Sequence, residues 1–143
     1  MFPPSRHEAR LFFFNIWGKK LKKEPFTGIE KKASLIIEDH PEYHYILDHP
    51  KLYSDFDFST EHGTINPFLH LSLHLTIVEQ IDTDQPRGIV DLFQQLCIKH
   101  TNEHDAKHAI LDILAEEIWS TIHNKTIFDN VRYLQRIKKV TKN

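Results

Sequence analysis

The segment HDAKHAILDILAEEIWSTI places His104, His108, Leu111, Ala115, Ile118 and Ile122 at spacings of 4, 3, 4, 3 and 4. That period marks one stripe of an α-helix and does not fit the two-residue alternation of a half-buried strand. The segment NPFLHLSLHLTIVEQI repeats it, with His70, His74, Ile77 and Ile81 at 4, 3 and 4. Two long helices are therefore expected, each beginning with a His-x-x-x-His pair in the stripe that should face a core.

The rest of the chain reads as helix as well. Ser5 and Glu8 have the spacing of a capping box, ahead of a helix carrying Leu11, Phe12, Phe14, Ile16, Trp17 and Leu21. It ends in KKLKK, whose cations suit the negative end of the helix dipole, before Pro25. Thr27 and Glu30 form a second box for a helix reaching about Asp39, with Ile29, Ala33, Ile36 and His40 on one face. Pro41 disfavours helical geometry at His40, so HPEYHYIL should break there and begin a new turn. From Pro50 to Ile65 no helical period is visible, and the long loop is expected to bring Phe56 and Phe58 over one end of the core.

Asn66 as cap and Pro67 at the first position start the helix that runs to about Ile81, where DTDQPRG interrupts it. Ile89, Leu92, Phe93 and Leu96 share one face of the next helix. A long helix from about Asn102 to His123 follows, then a last one from about Asp129 to Lys139 with Val131, Leu134 and Ile137 inward. Phe12, Phe13, Phe14, Trp17 and Trp119 are expected in the core. Only four glycines occur, which favours helices over tight hairpins. The expectation is an all-α antiparallel bundle of about five to six helices, one domain over residues 1–143.

Composition narrows the function classes. The formal charge of -2 gives no electrostatic reason for a nucleic-acid partner, although KKLKK and RIKK keep an accessory role of that kind as a third reading. Cys97 is the only cysteine, so an internal disulfide and multi-cysteine zinc sites are excluded, and a reducing compartment fits. No apolar run reaches the roughly 20 residues of a membrane span and no signal-peptide cleavage site follows the N-terminal apolar stretch, so a cytoplasmic location is expected. The chain leaves open a protein partner, a small-molecule substrate and homo-oligomerisation.

Histidine is abundant, 11 in all. Placing an imidazole in an apolar stripe costs on the order of 1 to 3 kcal/mol unless its nitrogens are satisfied. A metal ion would satisfy them: imidazoles at i and i+4 can reach one ion, and Zn or Fe is the expected first-row divalent metal. His70, His74, His104 and His108 are the primary candidates. Asp112 and Glu116 lie at the edge of the same face as His108, and Glu30 and the turn from His40 to His44 can approach from a third side. An ion with an open position would activate water, and a carboxylate-bridged iron pair would handle oxygen, so enzymatic activity stays open. The alternative is a metal-free interaction module in which buried histidines form a structural or pH-sensitive network.

HPEYH at 40–44, NPFLHLSLH with the following EQ at 66–80, QPRGI at 85–89 and EHDAKHAILDILAEEIW at 103–119 together resemble the bacterial family catalogued as domain of unknown function 1841. The resemblance spans nearly the whole chain and implies a small cytoplasmic bacterial protein, with no established activity to carry over. The order of motifs is also loosely similar to the histidine-ligated bundles of hemerythrins and the DinB-like group. Lys107, between the histidines of the second pair, departs from the acidic character of that spot.

Overall fold

A computed structural model describes residues 6–58 and 66–142. Among them there is no strand, and eight α-helices stand where five to six were expected. They are α1 Arg6–Lys22, α2 Gly28–Glu38, α3 His44–Leu47, α4 Pro50–Tyr53, α5 Pro67–Thr83, α6 Ile89–His100, α7 Glu103–Asn124 and α8 Asn130–Thr141, with a 3-10 turn at Pro41–Tyr43. The two extra helices are single turns, too short to show a period in sequence. Pro50 is the first residue of α4, so the stretch expected to be loop from residue 50 begins as helix. No helix of the described residues is long and apolar enough to cross a membrane.

The caps explain most boundaries. Asn66 Oδ1 accepts from Phe68 N at 3.0 Å and Leu69 N at 3.3 Å, opening α5 as its sequence implies. Glu30 reaches back to Thr27 N at 3.0 Å and accepts from its hydroxyl at 2.9 Å. Asn102 and Asp129 cap α7 and α8 by accepting from Asp105 N and Arg132 N. Ser5 of the first expected box lies outside the described residues. With so few glycines, left-handed residues at helix ends are ordinary side chains: Lys23, Thr101 and Lys125 have φ of 59°, 62° and 54°. For the β-branched Thr101 that conformation is the most strained.

The chain gathers into two compact units, Met1–Leu75 and Thr76–Asn143, whose boundary falls inside α5. In the first, Phe13, Ile16 and Trp17 of α1 are buried, as are Ala33, Ile36 and Ile37 of α2 and Leu47 of α3. The Trp17 indole donates to Asp48 at 2.6 Å, and Phe14 packs on Phe68 of α5 with ring centroids 5.2 Å apart. Arg10 is 1% exposed, donates to Tyr53 O and Ser54 O at 3.0 Å each, and lies over the rings of Phe58 and Phe68. The segment after α4 is thus held by a buried cation, and Phe58 covers that cation while Phe56 stays exposed.

In the second unit Ile89, Leu92, Phe93 and Leu96 of α6 are buried together, as their spacing implies. Helix α7 corrects the expected stripe. Its buried residues are Ala106, Ile110, Leu111, Ile113, Leu114 and Glu117, whereas His104, Trp119 and Ile122 are exposed. Several apolar sets of near-helical period overlap in HDAKHAILDILAEEIWSTI, and packing covers the one centred on Ile110 and Leu114. Helix α8 turns Tyr133 and Ile137 inward and leaves Val131 65% exposed. The Tyr133 hydroxyl, its pKa raised by burial, donates to Gln80 at 2.8 Å.

Candidate metal centre

Helix α2 ends at Glu38 because Pro41 cannot continue it, and His40 takes φ -127° and ψ 63° just before the proline. The turn folds its ring back: Nδ1 lies 2.7 Å from Ile36 O. A carbonyl can only accept, so Nδ1 carries the proton and Nε2 the lone pair. His49 before Pro50 repeats the backbone geometry at φ -126° and ψ 63°, and its Nδ1 lies 2.7 Å from Tyr45 O. Of these two His-Pro pairs only the first is buried, with His40 at 5% exposure.

On α5, His70 and His74 sit one above the other, as i and i+4 must. Their Nε2 atoms are 3.1 Å apart, and His74 is 5% exposed whereas His70 is half-buried. The His40 ring lies 5.1 Å from that of His70 and 4.7 Å from that of His74. Each of the three offers a ligand atom within 4.8 Å of the others, close enough for one ion. Tyr43 forms a wall, stacked parallel on His40 at 5.6 Å and edge-on to His70 at 6.0 Å. Burial, with a smaller contribution from Glu42, pushes its phenol up, so Tyr43 is neutral at pH 7.

The other expected ligands have their own surroundings. His44 Nε2 lies 2.9 Å from Ile37 O and its ring packs 4.5 Å from that of Trp17. Glu30 is bound by the Lys19 ammonium at 2.8 Å and by Thr27, which hold its carboxyl down at about 2. In the second unit, His104 is exposed and stacks 4.3 Å from the half-buried His108. His108 Nδ1 donates to His104 O at 2.9 Å, which leaves Nε2 as the lone-pair nitrogen, as in His40. Asp112 is exposed, and Glu116 pairs with Arg136.

Sequence reasoning missed two participants. Tyr43 was read as part of a chain break, although its place three residues past His40 in a single turn is a signal for a shared face. Glu117 is 4% exposed, accepts from Arg136 at 2.8 Å and forms an ion pair with Arg132 at 3.2 Å. Its position, three residues past Leu114 and seven past Ile110, puts it in the buried stripe of α7. Together with Trp119 these charges line a surface groove of about 650 Å³, where Arg136 is held protonated even more firmly by the two carboxylates.

No curated protein and no solved structure matches the chain. The family model for a domain of unknown function, DUF1841, matches residues 5–139, and it takes in every histidine and carboxylate of the two clusters. Since that match runs from one end of the 143 residues almost to the other, the chain belongs to the DUF1841 family.

Proposed function

We propose that this helical protein binds one first-row divalent metal ion through His40, His70 and His74, with Zn the first candidate and Fe the second. The observation that carries the reading is the approach of His70 Nε2 to His74 Nε2, 3.1 Å, beside a buried His40 whose tautomer is set by a backbone carbonyl. Two nitrogens that far apart, each about 2.05 Å from a common ion, subtend roughly 98° at it, between octahedral and tetrahedral values. A backbone acceptor on the far ring nitrogen is the usual support of a metal-bound imidazole. An all-imidazole set suits Zn better than a carboxylate-bridged iron pair, because Glu116 and Glu30 are engaged by Arg136 and Lys19.

The antiparallel bundle expected from the loop lengths belongs to this reading as the scaffold that would present the histidines. A metal-free polar network is the second reading, favoured by the same 3.1 Å approach: two neutral imidazoles at that distance share a hydrogen bond when one Nε2 is protonated and the other is not. Elemental analysis separates the two. Tag-free protein purified without chelator should contain about one equivalent of a single transition metal, and substitution of His74 should remove it. Substoichiometric metal, unchanged by His74→Ala, would leave the polar network in front.

A further inference from the structure

We infer that the outer face shared by α7 and α8 around Trp119 is an interface with a second copy of this chain. Trp119 is 65% exposed, with one face of its ring packed on His123 at 4.6 Å and its indole N–H without an acceptor among the described residues. It lines the surface groove together with Glu116, Ser120, Arg132 and Arg136. A tryptophan set among arginines in a groove has the composition of a binding hot spot, not of a merely solvated helix surface.

The charges say what fits there. On α7, Asp112, Glu116, Trp119 and His123 follow at spacings of 4, 3 and 4, an exposed row that carries two acids. The row of α8 beside it, Arg132, Arg136 and Lys139 at 4 and 3, is basic, and α8 contains no acid at all. Arg136 with Glu116 and Arg132 with Glu117 set the register, and the short connection through residues 125–129 makes the two helices run in opposite directions. Trp119 is therefore level with Arg132, and Asp112 with Lys139, to within about one residue. A two-fold axis along the groove keeps these heights and exchanges the helices, laying α7 of each copy over α8 of the other. Each Trp119 then meets an Arg132 guanidinium, and each Asp112 a Lys139 ammonium. These groups are open for such contacts: the Arg132 side chain is 61% exposed, and Asp112 and Lys139 have no ion pair among the described residues. An unlike partner would have to present an acidic and a basic row in the same order, which this chain already does.

Sedimentation velocity of the full chain, from low micromolar to several hundred micromolar, should show a monomer–dimer equilibrium that weakens several-fold on adding salt. Trp119→Ala should weaken it more than about 30-fold, as loss of a central aromatic anchor does, with the melting curve of the monomer unchanged. Asp112→Lys and Lys139→Glu should each weaken self-association, because like charges then meet across the axis. An equimolar mixture of these two variants should form a heterodimer, because opposite charges then meet in both contacts, a rescue that no change within one copy can produce. A monomer at every concentration, a dimer indifferent to Trp119→Ala, or no heterodimer on mixing would overturn the interface.

Discussion

The two His-x-x-x-His pairs have the same spacing and different fates. In both, helical geometry brings the rings into contact, at centroid distances of 4.7 Å for His70 and His74 and 4.3 Å for His104 and His108. On α5 the pair lies in a segment whose Leu71, Leu73 and Leu75 are also buried, and the Nε2 atoms meet beside His40. On α7 the pair sits at the solvated first turns, where His108 donates to the backbone of His104 and His104 is exposed. Spacing alone thus brings rings together, and burial next to a third imidazole turns a ring pair into a candidate ligand set.

The largest expected effect separates the pairs directly. His74→Ala should weaken Zn binding by more than about 100-fold in a competition titration, since loss of a ligand exceeds the usual loss from an outer-shell partner. His104→Ala should leave the affinity unchanged, and equal losses from both would erase the contrast.

Next in size, chelation should lower the melting temperature. Metal at 100 times its dissociation constant stabilises the folded state by about 2.7 kcal/mol, several degrees for a chain of this length. The same treatment of His74→Ala should do nothing measurable by calorimetry; a drop of equal size there would show that the chelator acts elsewhere. Stability of the second unit rests on different chemistry. Arg136→Met removes one of two cations from the buried Glu117 and should cost about 2 kcal/mol in urea denaturation, with metal content unchanged.

The smallest effect concerns the first unit at low pH. Glu30 is held at about 2 against 4.5 in a free chain, chiefly by Lys19 and then by Thr27. A folded-state pKa below the unfolded one means its contribution is fully present above about 4.5 and is lost as pH falls toward about 2. Wild type should therefore lose more stability than Glu30→Gln across that window, well below the range near 6.5 where imidazoles protonate. Parallel acid-unfolding curves for the two proteins would remove Glu30 from the account.

Much of this arrangement is legible residue by residue. Asn66 with Pro67, Thr27 with Glu30, and Pro41 mark helix ends through local hydrogen bonds and steric clashes, which need no tertiary contact. The face of α6 is equally plain, because Ile89, Leu92, Phe93 and Leu96 leave one apolar stripe to choose. Helix α7 is different: apolar residues lie on several faces, so Trp119 and Ile122 compete with Ile110 and Leu114 for the core, and local sequence does not rank them. His40 was legible as a chain break beside a proline and as one of three residues, with Glu30 and His44, able to approach the pair from a third side; which of the three meets His70 was not.

The sequence by itself determined the helical class, the positions of the main breaks and the i, i+4 approach of each histidine pair, since all three follow from the angle per residue and from capping chemistry within a few positions. Only the tertiary structure decided which stripe is covered, that Glu117 is buried between two arginines, and that His40, 30 residues from His70, joins the α5 pair while His44 turns to Trp17. Helical period places a side chain around its own axis. Whether another element covers that direction depends on packing between segments distant in sequence, where burial of apolar surface outweighs any local preference.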